Sequence, residues 1–126
     1  MIDVYNEIAS AQLLVADVRT SSANGTGVDI QDYIGKLKLV LDSEEGTGNA
    51  DNTLDVKIQH SDASGSGYTD ITGAAFTQVD GSTAAFESIS LDTRSTKRYI
   101  RAVATIAGTS PSYATSVILH GVKARS

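Results

Sequence analysis

No cysteine occurs in the 126-residue chain, which excludes disulfides, thiolate zinc sites, iron–sulfur clusters and a thiol nucleophile. Tryptophan is missing as well, proline occurs once, and the aromatic complement is five tyrosines and two phenylalanines. Positive charge is also in short supply: ten Lys and Arg stand against fifteen Asp and Glu, a formal net charge of −5. A chain of that sign has no overall field to attract nucleic acid or an anionic membrane. Long hydrophobic runs are absent too. The longest resemble Leu13-Leu14-Val15-Ala16, far short of the roughly 20 residues of a membrane-spanning helix. The opening residues Met1-Ile2-Asp3-Val4-Tyr5-Asn6-Glu7 carry acids where a secretory signal has a basic patch and an apolar core. A soluble protein without an export signal is expected, with neither nucleic acid nor membrane as partner.

What is present in quantity is Ser, Thr, Val and Ile, with eleven glycines, a composition of strands joined by flexible turns. A chain of this length forms one domain and buries roughly two-thirds of its unfolded surface, so it needs no staple. Alternation with period two recurs throughout. In Lys36-Leu37-Lys38-Leu39-Val40-Leu41-Asp42 the three leucines share a face, as do Leu54, Val56 and Ile58 in the run from Thr53 to Gln59. Both segments read as half-buried strands. Further strands are predicted at Gln12 to Thr20, Val28 to Asp32, Tyr68 to Thr72, Ala75 to Val79, Phe86 to Leu91, Lys97 to Ile106 and Thr115 to Lys123. Turn signals lie between them at Asn24-Gly25, Glu45 to Asn49, Ala63 to Gly67 and Asp80-Gly81. Asp80-Gly81 suits a tight hairpin, since both residues tolerate positive φ.

The expected fold is all-β, an antiparallel β-sandwich of jelly-roll or immunoglobulin-like topology over residues 12–126. Tyr99, opening a strand after a polar turn, matches the position of the tyrosine corner of immunoglobulin-like sandwiches; the simpler reading is an edge tyrosine half-covered by its neighbours. The core is predicted to draw on Leu37, Leu39, Leu41, Leu54, Val56, Ile58, Ile100 and Val117. Residues 1–11 stand apart. Ile2, Tyr5, Ile8 and Ala9 have the spacing of one side of a short helix, which suggests an N-terminal arm or short helix whose Ile2, Tyr5 and Ile8 meet a neighbouring subunit. A loose terminus is the alternative.

The catalytic inventory is thin. His60 and His120 each fall late in a predicted strand, with no Gly-x-Ser-x-Gly elbow and no metal-ligand spacing around them. Chance serines and aspartates supply a Ser–His–Asp set easily, so the histidines read as strand-end residues bonded to backbone or water. Asp42-Ser43-Glu44-Glu45-Gly46-Thr47-Gly48-Asn49-Ala50-Asp51-Asn52 offers hard oxygen ligands, yet without the spacing of a calcium loop, and reads as a solvated surface loop. The glycine pairs Gly25/Gly27, Gly46/Gly48 and Gly65/Gly67 lack the third glycine of a dinucleotide fingerprint. No catalytic residue, cofactor or metal is expected. Arg94, Lys97, Arg98 and Arg101, by contrast, gather four of the ten basic residues within eight positions. As a group they read as a patch that meets an acidic partner surface, and singly as charges that keep a sheet edge from promiscuous pairing.

Leu54-Asp55-Val56-Lys57-Ile58-Gln59-His60-Ser61-Asp62, Tyr68-Thr69-Asp70-Ile71-Thr72-Gly73-Ala74, Lys97 to Thr105 and Gly108-Thr109-Ser110-Pro111-Ser112 together resemble small virion structural proteins of tailed bacteriophages and prophages. The likeness spans a little over half the chain, and its motif marks a fold without any chemistry. It implies a non-enzymatic β-sandwich that decorates or cements a capsid, with the major capsid protein as partner, as a symmetric oligomer, a trimer first of all. The protein would sit on the virion surface after synthesis in the bacterial cytoplasm. The alternative is a carbohydrate-binding or host-adhesion module displayed on the particle. Without tryptophan, its ring platforms would be Tyr5, Tyr33, Tyr68, Tyr99 and Tyr113.

Overall fold

The computed structural model describes residues 6–47 and 49–124. Ten strands follow one another: β1 (Asn6–Arg19), β2 (Ala23–Asn24), β3 (Val28–Asp29), β4 (Tyr33–Ser43), β5 (Thr53–Ser61), β6 (Thr69–Ala75), β7 (Val79–Asp80), β8 (Ala85–Asp92), β9 (Tyr99–Ala107) and β10 (Tyr113–Ala124). A 3-10 turn, Thr93–Ser95, precedes β9. One sheet has the order β1-β10-β4-β8 and the other β2-β9-β5-β6, with β3 also paired to β9 and β7 to β5. All pairings are antiparallel. The chain is an all-β sandwich.

Its topology follows from who pairs with whom. With β2 and β3 taken as one interrupted strand, and β6 and β7 as another, the first strand pairs with the eighth. The second then pairs with the seventh, the third with the sixth and the fourth with the fifth. That nesting is one long hairpin wrapped over on itself, which is the jelly roll. Tyr99 is half-buried at the start of β9 and paired on both sides, with Ser61 of β5 and Asp29 of β3, so the expected edge tyrosine lies on an interior strand of its sheet.

The core lies between the inner faces of the two sheets. Leu37, Leu39 and Leu41 of β4 and Val117 and Leu119 of β10 face Leu54, Val56 and Ile58 of β5 and Ile100, Ala102 and Ala104 of β9. All eight predicted core residues are at most 2 % exposed. Two irregularities tune this layer. A bulge between Gln12 and Leu14 places the successive residues Leu13 and Leu14 both inside, which strict alternation forbids. On β4, the five residues from Ile34 to Lys38 stand against the three from Val122 to His120, with Gly35 at φ +70° taking up the extra chain.

Three expectations change. The helical spacing of residues 1–11 gives way, over residues 6–11, to the first half of β1, paired with Ala124 to Leu119. An edge position beside β10 satisfies the backbone there, whereas a helix of that length is marginal alone. Residues 1–5 lie outside the described residues. The strand expected at Ala75 to Val79 is broken, for residues 76–78 are not in strand. Phe76 there turns into the core with its N–H on the Val56 carbonyl (2.9 Å). Asp80-Gly81 is no hairpin, because β7 pairs with β5 and β8 with β4 in the opposite sheet. The Asp80 carboxylate instead accepts from the Ser82 and Thr83 N–H groups (2.9 and 2.8 Å) and turns the chain across from one sheet to the other.

Candidate functional site

Of the residues expected to touch partners, Ile2 and Tyr5 lie outside the described residues. Ile8 stands on β1 opposite Val122 and is 86 % exposed. The basic group occupies the end of the sandwich where β8 passes through the 3-10 turn into β9. Its charges are not equally free. Arg94 returns to the residue that caps its turn: its backbone N–H and its guanidinium both bond to Asp92 (2.9 and 3.0 Å). That guanidinium holds the Asp92 carboxyl at a pKa of about 2. Arg98 pairs with Asp29 of β3 at 2.9 Å and lies over the Tyr99 ring. The same contact lowers the Asp29 pKa.

Arg101 does not join these two. It lies on the outer face of the second sheet, donating to the Gln59 amide oxygen (2.8 and 3.0 Å) with its guanidinium 4.2 Å from the centre of the Tyr68 ring. Gln59 in turn donates to Asp70 (2.9 Å), which Lys57 also holds at 3.0 Å. Sequence reasoning missed this Arg101–Gln59–Asp70–Lys57 chain because its members come from three strands. Period-two spacing in β5 does place Lys57 and Gln59 on one face. Lys97 is exposed and has no ion-pair partner among the described residues. The patch is therefore one unpaired lysine beside two arginines already matched by internal carboxylates.

His60 accepts the Lys97 backbone N–H at Nδ1 (3.2 Å). Burial, followed by the nearby Lys97 charge, pushes its pKa below 6.5, so its role is that of a neutral strand-end acceptor. His120 is exposed on the outer face of the first sheet, opposite Ser10 and Lys38. The acidic loop is held through amides and a hydroxyl. Asn52 donates to the Gly46 carbonyl (2.6 Å), Asn49 to the Thr109 carbonyl (2.9 Å), and the Thr109 hydroxyl to Asp51 (2.7 Å). No three metal-ligating side chains converge among the described residues. Asp17, Val18, Asp42, Glu44, Ala114 and Ser116 line an open depression at the end of the first sheet remote from Arg94.

Among the described residues the tyrosines offer little as sugar platforms, and Tyr5 lies outside them. Tyr113 and Tyr33 are buried, the Tyr68 ring carries Arg101, and the Tyr99 ring carries Arg98.

No protein-family model matches the chain, and no curated protein matches it. Solved structures do. The SPBc2 prophage-derived protein YomS superposes with a TM-score of 0.55 at 10 % identity, covering 98 % of this chain and 99 % of that one. The VP2 subviral particle of infectious bursal disease virus gives 0.53 at 14 % identity, over 94 % of this chain and 33 % of that one. Dimeric latent PorU from Porphyromonas gingivalis gives 0.55 at 9 % identity, over 99 % of this chain and 13 % of that one. The chain thus spans the whole of YomS and about a third of the VP2 chain. At such identities the likeness is one of fold.

Proposed function

We propose that this chain is a non-enzymatic structural protein of a tailed-phage or prophage virion, bound to the outside of the shell, which it decorates or cements through contacts with the major capsid protein. The observation that carries the reading is the end-to-end match with a prophage-derived protein, 98 % of this chain against 99 % of that one. The match runs through the sandwich of both chains from one end to the other. The likeness to a viral VP2 particle protein and the sequence resemblance to phage virion proteins support it from two other directions. Arg94, Arg98, Asp51 and His60 hold strands and turns together.

Quantitative mass spectrometry of purified particles tests this. A copy number within a small factor of the major shell protein, with antibody labelling over the head, is the expected result. Absence from particles, or a few copies at the tail tip with binding on a glycan array, would replace it with the adhesion reading. Comparing heated particles with and without the protein then separates cementing, where its loss releases DNA, from decoration, where it does not.

A further inference from the structure

The outer face of the first sheet is covered by no other element among the described residues, and its side chains form a pattern. Along β4 the inward leucines Leu37, Leu39 and Leu41 are buried, while Lys36, Lys38 and Asp42 between them are exposed and Val40 is half-buried. Glu44, one residue past the strand, is exposed as well. Counted from Val40, Lys38 and Asp42 lie two residues to either side, and Lys36 and Glu44 four. The charge is thus antisymmetric about Val40. None of the four takes part in an ion pair among the described residues. Lys38 and Asp42 are about 14 Å apart along the strand, too far to satisfy each other.

On β10 and β1 the symmetry recurs, whereas on β8 the exposed Phe86 beside Asp42 has Ser90 beside Lys38 as its counterpart. Ile118 of β10 sits beside Val40. Four residues along β10 in each direction, Ile8 of β1 lies opposite Val122 and Val18 opposite Ala114. Ile8 and Val18 are 86 % and 61 % exposed.

We propose that this face binds a second copy of the chain, sheet against sheet, about a two-fold axis that passes between the sheets at Val40 and Ile118, perpendicular to the strands. That operation reverses strand direction. Lys38 of each copy then lies over Asp42 of the other, Lys36 falls toward Glu44, and Ile8 meets Val18. A two-fold axis along the strands would instead lay lysine on lysine and carboxylate on carboxylate. Facing sheets pack about 10 Å apart and about 30° askew. At about 7 Å from the axis, a lysine side chain spans the resulting offset.

Four strands over nine residues give a footprint of about 550 Å². The pair buries about 1,100 Å², just above the roughly 1,000 Å² that a specific interface needs. Isologous two-fold contacts of this kind are the commonest among homo-oligomers.

Sedimentation velocity of the full chain across a concentration series tests it. The wild type should form dimers that weaken as salt rises, because the four lysine–carboxylate contacts are screened. Lys38→Glu and Asp42→Lys should each weaken self-association at least tenfold, since each sets like charges face to face twice. An equimolar mixture of the two variants should recover the dimer, because the heterodimer restores an opposite-charge pair at both positions. These are exposed side chains, and circular dichroism checks that each variant is folded. A wild type that stays monomeric up to about 1 mM, well above the range of a specific contact, would overturn the proposal. So would a trimer, or a dimer indifferent to both reversals and to their mixing.

Discussion

Val56 is 2 % exposed between β9 and the turned-in Phe76, so Val56→Asp buries a carboxylate with no cation near it. The cost should be several kcal/mol, a large part of the stability of a domain this size. Loss of the cooperative urea transition is the expected readout, and a soluble variant with an unchanged midpoint would reverse the face assignment of β5. Gly121 carries a different constraint. A Cβ there would come within 2.6 Å of Leu37 Cδ2 and 2.8 Å of Tyr33 Cδ1, both on buried side chains. Gly121→Ala should therefore cost about 1–3 kcal/mol through overpacking, read from the same denaturant midpoint. For His60 the expected outcome is an NMR titration midpoint below 6.5, since burial and Lys97 both disfavour its charged form. Lys97→Ala should raise that midpoint while leaving it below 6.5, because burial is the larger cause. A depressed folded midpoint means that the unfolded chain binds the proton first, so stability present above pH 6.5 is lost as pH falls through the folded value.

Among the elements, β1 changes most between sequence and structure. Its first half supplies the outer edge of the first sheet, with Asn6 to Ala11 paired to Ala124 to Leu119. Removing residues 1–11 strips those pairings and bares the β10 edge, so the thermal midpoint should fall by about 5 °C or more and aggregation should rise. An unchanged midpoint on calorimetry would mean that the segment frays like an ordinary terminus. The leucines of β4 and the alternation of β5 were legible because each strand has one wet face and one dry one. The bulge at Gln12–Leu14 and the crossing at Asp80 were not, for a register shift and a change of sheet depend on which strand lies alongside.

At the scale of the molecule the two ends differ in charge. Asp17, Asp42 and Glu44 gather at the end away from Arg94, Lys97 and Arg98. If the basic end orients the protein on an acidic shell, changing Arg94 and Lys97 to Glu should slow association with preformed capsids more than it speeds release. Surface-plasmon or filter-binding kinetics at two salt concentrations measure this, because attraction between exposed charges decays over a Debye length of about 8 Å at physiological salt. Binding indifferent to salt and to the reversal would leave the arginines as internal ties to Asp92 and Asp29.

Composition and period-two alternation by themselves determined an all-β chain, its core leucines and valines, and the absence of thiol chemistry, because burial of one strand face is a local property of every second residue. They also exposed the basic cluster, since adjacency in sequence is visible directly. The jelly roll over the immunoglobulin-like alternative, the strand at residues 6–11, the pairing of Arg98 with Asp29, and the placing of Ile8 and Val18 on the face around Val40 were decided by tertiary structure alone. Each depends on strands far apart in the chain lying side by side, as β1 does with β10 and β3 with β9, and no local pattern records which strand will be the neighbour.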